Sequence, residues 1–280
     1  MGPVNLTAFS KAWKSAGEDF PNLGKLRGLV YATGVRFLLY NIRYGAGIAR
    51  NFHFPVPYHG YLRRTTHRLQ HIAEFIKSLQ PDIVGLVEAD AGSFRMRRGN
   101  QVEIIAQTLG HFHAYQSKYG VYSRAARLPV MNKQVNALLT REPIRAQRFH
   151  YFQSGVKRLI IELELRNLSL FLVHLSIRYR TRHEQLRALA RLVRERSTPC
   201  LVAGDFNLFR GPAEMEPLLT VAGLQCPANN GMLTFPSWKP RRQLDFILHS
   251  PEIRVKSYFA PAVMFSDHLP VVCDFEVRRP

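Results

Sequence analysis

Four apolar segments follow one another between residues 133 and 176, "KQVNALLT", "IRAQRFHYF", "RLIIELEL" and "LSLFLVHLS", with only short polar breaks between them. Segments of this length, rich in Ile, Leu, Val and Phe, read as strands. Arg166 and Asn167 supply a hairpin connection, so this stretch is expected to pair antiparallel. On both sides the character changes to alternation of strand and helix. "VRFLLYNI" reads as a strand, and a Gly-, His- and Pro-containing loop follows at 44–60. "YLRRTTHRLQHIAEFIKSLQ" then carries Leu62, Leu69, Ile72, Ile76 and Leu79 at helical spacing. After it come a short buried-type strand, "IVGLVE", and a helix around "NQVEIIAQTLG" stopped by Gly110.

Downstream, "TRHEQLRALARLVRER" returns to helix, with Leu186, Leu189, Ala190 and Val193 on one face. A strand ending at Gly204 comes next, then a helix near 212–222. The strands "LDFILH", "RVKSYFA" and "PVVCDFEV" close the chain. Helices at intervals around antiparallel strands predict two mixed sheets packed face to face with helices outside. No linker interrupts residues 35–280, which read as one domain behind an N-terminal extension, residues 1–34, of no assigned role.

Several apolar strands end in a polar side chain. In "TPCLVAGDFNLF", Asp205 and Asn207 occupy alternate positions and point the same way on an extended chain. Asn41 ends the first strand and Glu88 the second, and His174 lies near the end of "LFLVHLS". Asp245 lies within "QLDFILH", and Asp267 with His268 precedes the last strand. Each alone reads as a turn or surface residue. Together they form a set, because ligands in layered α/β folds gather where strand ends meet loops.

The pieces "LLYNIR", "PDIVGLVEAD", "NALLTREPI", "LFLVHLS", "LVAGDFN", "TFPSWKPRRQLDFIL" and "FSDHLPV" stand in one order over roughly residues 35–278. In that order the chain resembles the endonuclease/exonuclease/phosphatase superfamily, with its DNase I-like nucleases, sphingomyelinases and inositol polyphosphate phosphatases. GlyAspPheAsn and SerAspHis are the most specific of these signatures. The resemblance implies a DNase I-like four-layer α/β sandwich and a divalent-metal phosphohydrolase. It implies Glu88 as principal metal ligand with Asn41 close by, and Asp267 as a further carboxylate beside the metal. Asp205 would orient or deprotonate the attacking water, and Asn207 would hold that water or a phosphate oxygen. His268 would contact the scissile phosphate with Asp245 fixing its ring, and His174 would add a second imidazole. Several family nucleases carry Gln before the metal-binding Glu, where this chain has Val87, which leaves the subfamily open.

The chemistry supports the same class. An anionic nucleophile attacking a phosphate ester needs positive charge against the developing oxyanions. Carboxylates and amides without a thiolate cluster favour Mg²⁺, with Mn²⁺ as the other candidate, over Zn²⁺. An imidazolium held by a carboxylate adds charge and a proton donor. His67 and His71 stand four apart but have no acidic residue between them, and read as a solvated helix face.

Charge narrows the substrate. The chain holds 39 Lys and Arg against 20 Asp and Glu, a net +19, which attracts polyanions: nucleic acid, an anionic membrane or a phosphorylated small molecule. Basic clusters follow Glu88 ("FRMRR"), follow His174 ("IRYRTRH") and precede Asp245 ("WKPRR"). Arg97, Arg98, Arg178, Arg180, Trp238, Arg241 and Arg242 are therefore candidate substrate contacts along a groove. A nucleic-acid phosphodiesterase is the first expectation. A phospholipid or sphingolipid phosphodiesterase or phosphatase at a membrane surface is the second, favoured by the amphipathic stretch 5–20 and the aromatic loop "NFHFPVPYHGY" at 51–61. A non-catalytic polyanion-binding module is the third. Cys200, Cys226 and Cys273 form no CxxC pair, and no standard secretory signal is evident. The sequons at Asn5 and Asn167 then carry little weight, and a cytoplasmic monomer, with peripheral membrane association as the alternative, is expected.

Overall fold

The computed structural model describes residues 34–48, 66–97, 99–119, 130–227 and 231–278. The amphipathic stretch 5–20, the aromatic loop 51–61 and Arg98 lie outside the described residues. β1 (Val35–Asn41) is buried from its second residue onward because it is central. It pairs parallel with β2 (Ile83–Asp90) and antiparallel with β11 (Val271–Val277). β4 (Gln134–Thr140), β3 (Phe112–Ser117) and β10 (Ile253–Phe259) complete a sheet ordered β10-β11-β1-β2-β4-β3. The second sheet runs β5-β6-β7-β8-β9, from β5 (Ala146–Tyr151), β6 (Leu159–Glu164), β7 (Ser169–His174), β8 (Cys200–Asp205) and β9 (Asp245–His249). In it only β7 and β8 are parallel.

Alternation on each strand sorts side chains between two cores. Phe37 and Leu39 of β1 face the interior between the sheets, with Ile83, Leu138, Ile161, Leu172, Leu201, Ile247 and Phe275. At Gly85 an added Cβ would lie 3.0 Å from Leu172 Cδ1, so the missing side chain lets the sheets approach. The outer face of the five-stranded sheet packs Phe171, Val173, Val202 and Phe246 against Leu186, Leu189 and Val193. Those three belong to α3 (Tyr179–Arg194), and Leu218 of the short α4 (Glu216–Thr220) joins them. On the far side, Phe75 of α1 (Thr66–Ser78) meets Tyr40 edge-on at 6.4 Å between ring centroids. α2 (Gln101–Leu109) is capped by the Asn100 side chain, which accepts from the Val102 N–H, and by Gly110 at φ 69°. Two mixed sheets face to face with helices outside are thus the architecture expected.

Some expectations change in detail. β3 carries no clear sequence signal: "FHAYQS" forms an edge strand, half exposed, without a clean apolar alternation. The helix expected over 61–80 is described only from Thr66. The helix near 212–222 divides into a 3₁₀ turn, Pro212–Met215, and α4. α3 starts two residues early, at Tyr179, because Arg178 takes an extended conformation that admits the first turn. Among the described residues no helix is long and apolar enough to cross a membrane.

Candidate active site

Register places three of the polar strand ends in one row. His174 of β7 is paired with Asp205 of β8, and Asp205 with Asp245 of β9. Because partners in a ladder face the same way, three buried side chains converge at one end of the five-stranded sheet. His174 Nε2 lies 3.3 Å from Asp205 Oδ2. Asn41, at the end of β1 in the opposite sheet, donates from Nδ2 to the same Oδ2 at 3.2 Å. The site thus bridges the two sheets.

Glu88 reaches it through an irregularity. The β2–β4 register shifts between Leu86 and Ala89, and Glu88 sits at φ 56°, a conformation that costs a non-glycine residue about 1–3 kcal/mol. Its N–H is held by Asn136 Oδ1 at 3.3 Å. Glu88 Oε1 then lies 3.8 Å from each of Lys118 Nζ, Lys157 Nζ and His174 Nδ1. Burial alone would raise the Glu88 pKa, but the attraction of Lys118 and Lys157 outweighs it and holds the carboxylate at about 2. Burial pushes Lys118 down to about 8 despite Glu88, while Tyr44 Oη receives a hydrogen bond from its ammonium.

His268 comes from the loop before β11. Its Nδ1 is 2.8 Å from Asp245 Oδ2, which also accepts from Thr234 Oγ1 at 2.6 Å. The loop is fixed by the Leu269 N–H donating to the Thr234 carbonyl and the Ser237 N–H donating to the Asp267 carbonyl, both at 2.8 Å. Burial disfavours the imidazolium, yet Asp245 and Asp205 together raise His268 to about 10. His174 behaves oppositely: burial and Lys157 lower it to about 4, so its ring is neutral near pH 7. Asp205 is held below its ordinary range by His174 and His268 against burial, whereas burial raises Asp245.

Seven expected residues, Asn41, Glu88, His174, Asp205, Asn207, Asp245 and His268, therefore meet. Asn207 takes φ 53°, accessible to Asn, and donates from Nδ2 to the Leu175 carbonyl at 3.0 Å. The His174 ring turns inward onto Asp205 and Lys157, not outward. Asp267 is engaged by Arg43 at 3.4 Å. Two residues missed in the sequence, Lys118 and Lys157, sit just after β3 and just before β6. They are part of no motif, so only the fold reveals them.

Of the expected substrate contacts, Arg97, Arg178, Arg180, Trp238, Arg241 and Arg242 are exposed. Two arginines of the basic clusters are not surface charges at all. Arg95 is fully buried with its NH2 2.7 Å from Asp90, and Arg182 is buried on Glu214 at 2.6 Å.

The donor set fits a hard divalent cation. Glu88 is ionised and partly exposed, Asn41 adds an amide, and the buried thiols of Cys200 and Cys273 lie in the cores. Donor atoms of Asp205, Asp245 and His268 also lie within 4.8 Å of one another. The buried His174 Nδ1 and Asp245 Oδ1 have no hydrogen-bond partner, so polar capacity is left over for a ligand.

Residues 38–268 match the model of the Endonuclease/Exonuclease/phosphatase family. No curated protein matches the chain. Similar solved structures include the human Nocturnin catalytic domain with bound sulfate, at 20% identity and TM-score 0.64 over 87% of this chain and 93% of that one. A mannosyl-6-phosphatase of Bacteroides thetaiotaomicron matches at 16% identity and TM-score 0.64, over 86% and 99%. An endonuclease/exonuclease/phosphatase from Beutenbergia cavernae matches at 18% and 0.63, over 87% and 72%. At these identities the likeness is one of fold.

Proposed function

Given that the chain belongs to the endonuclease/exonuclease/phosphatase family, whose members hydrolyse phosphate esters, we propose that it is an Mg²⁺-dependent phosphodiesterase acting on nucleic acid. The observation that carries this reading is the row of register partners His174, Asp205 and Asp245, closed by His268. It sets a carboxylate and an imidazolium on one reacting centre.

Glu88, with Asn41, would hold the cation, which when bound supplies Lewis-acid stabilisation of charge on the phosphoryl oxygens. The depressed pKa of Asp205 suits it to orient the attacking water by accepting a hydrogen bond rather than to store the proton. Asn41 and His174 fix that carboxylate from two sides. His268, kept protonated by Asp245, presents Nε2 to a phosphoryl oxygen and stabilises its charge as it develops. Lys157 adds a further positive charge between Glu88 and His174. With net charge +19 and exposed arginines on the loops around these strands, a polyanionic strand is the favoured substrate.

A lipid phosphodiester at a membrane surface is the second reading, favoured by the exposed Ile177, Trp238 and Met264. The two separate when the protein is incubated with Mg²⁺ and either single-stranded oligonucleotide or anionic phospholipid vesicles. Cleavage of oligonucleotide supports the first, release of a lipid headgroup the second. Turnover of no phosphate ester overturns both.

A further inference from the structure

Two segments leave the site and meet again beside it. Residues 175–178 continue from His174, and residues 206–210 continue from Asp205. Where they meet, Arg178, Tyr179, Arg180, Thr181 and Arg210 line an open recess. Only three residue steps separate Asn207 from Arg210, so their Cα atoms are at most about 11 Å apart.

The recess is held in shape from below. Arg182 binds the Glu214 carboxylate through Nε at 3.0 Å and NH2 at 2.6 Å, and donates from NH1 to the Ser176 and Ile177 carbonyls. Glu214 also accepts from the Arg210 N–H at 3.1 Å, so one buried ion pair ties both segments together. The Arg210 guanidinium carbon also lies over the Tyr179 ring, 3.9 Å from its centroid, a cation–π contact. The Tyr179 ring is itself stacked on His183, 5.9 Å between centroids and 20° between planes.

Charge in the recess is unbalanced. Among the described residues Arg178, Arg180 and Arg210 have no carboxylate in ion-pair range, whereas Arg36, Arg95, Arg141, Arg148 and Arg182 do. Glu214, the carboxylate that accepts from the Arg210 N–H, is already neutralised by Arg182. Guanidinium groups that line one recess without an ion-pair partner match a tetrahedral oxyanion through paired N–H donors.

We propose that this recess binds a second, unreacting phosphate of a polynucleotide strand, beside the phosphate being cleaved. Arg210 is the principal contact, Arg178 and Arg180 add charge, and Tyr179 is a positioning residue for Arg210. The proposal rests on the phosphodiesterase reading above and names its substrate class. Arg210, only three residue steps beyond Asn207 so that their Cα atoms lie within about 11 Å of each other, suits a neighbouring phosphate on the same strand.

The test uses the full chain and two measurements. In EDTA, where no turnover is expected, fluorescence anisotropy of a labelled single-stranded oligonucleotide reads binding alone. Arg210→Ala is expected to weaken it at least about tenfold and to reduce the salt slope by about one phosphate contact. Tyr179→Ala is expected to do likewise, while Tyr179→Phe, which keeps the ring, holds wild-type affinity. With Mg²⁺, the ratio of kcat/KM for oligonucleotide to that for bis(p-nitrophenyl) phosphate, which has a single phosphate, should fall about tenfold in Arg210→Ala. Unchanged affinity and salt slope in Arg210→Ala, or a loss seen only with anionic phospholipid vesicles, overturns the proposal. Absence of turnover by the wild-type protein instead sinks the phosphodiesterase reading, while the anisotropy arm still decides whether the recess binds the strand.

Discussion

Asp205 and Asp245 are register partners across β8 and β9, yet their environments drive their acidities apart. Asp205 faces His174 and the edge of His268 and stays ionised, whereas Asp245 is raised by burial and bound to His268 Nδ1. In the proposed mechanism these two like residues would take different tasks, one toward water and one behind an imidazole.

Asp205→Asn is expected to lower kcat at least about 100-fold, since the neutral amide removes the negative charge and the strong acceptor that orient the attacking water. His268→Ala should cost a similar factor. Steady-state rates with unchanged melting temperatures check both; near wild-type rates in either would remove the mechanism.

The two site histidines should titrate at opposite ends of the scale. His268 is expected to hold its proton up to about pH 10 and His174 to stay neutral down to about pH 4. A raised pKa stabilises the fold fully below the unfolded value of about 6.5 and loses that contribution as pH climbs through 10. A lowered histidine does the reverse, so His174 removes stability as pH falls from about 6.5 toward 4. Imidazole NMR titration reads each directly, and Asp245→Asn should bring His268 down.

Lys118 and Lys157 share Glu88 Oε1 with any cation bound there. Lys118→Met should tighten Mn²⁺ binding on the order of tenfold by removing a repelling charge. Calorimetry without substrate measures it; weaker binding in the variant would place Lys118 in support of the cation instead. Chelation should abolish turnover, and Mg²⁺ or Mn²⁺ should restore it.

Gly204 lies against its register partner Val173, and an added Cβ would stand 2.0 Å from the Val173 carbonyl oxygen. Gly204→Ala is therefore expected to destabilise the fold by about 2 kcal/mol or more, because β7 and β8 must separate. Denaturant unfolding gives the value.

Arg182 and Glu214 form a buried pair between α3 and the segment after Asn207. Glu214→Ala leaves a buried guanidinium unpaired and should cost about 3–5 kcal/mol. A loss under about 1 kcal/mol would mean that Arg182 escapes to solvent.

Much of the fold was legible because buried strands are uniformly apolar and helices carry a 3.6-residue stripe. β1, β7 and β8 stand out for that reason. β3 did not, since an edge strand exposing one face resembles a loop. The site was legible where a polar residue ends an apolar run, as at Asn41, His174 and Asp205. Lys118 and Lys157 were not, because a lysine beyond a strand end looks solvated whatever it touches. Nor did the arginine clusters reveal which members are buried: Arg95 and Arg182 carry the same letters as the exposed Arg97 and Arg180.

The amino-acid order by itself determined the strand and helix periodicities, the family motifs and the identity of the polar side chains at strand ends, all of which are local properties of the chain. Only the tertiary structure decided that Asn41 from one sheet meets Asp205 from the other, that a register shift turns Glu88 toward two lysines, and that Asp205 and Asp245 have their pKa values moved in opposite directions. Those outcomes depend on distances between segments far apart in the chain and on burial, and electrostatic interaction follows distance and surroundings rather than residue type.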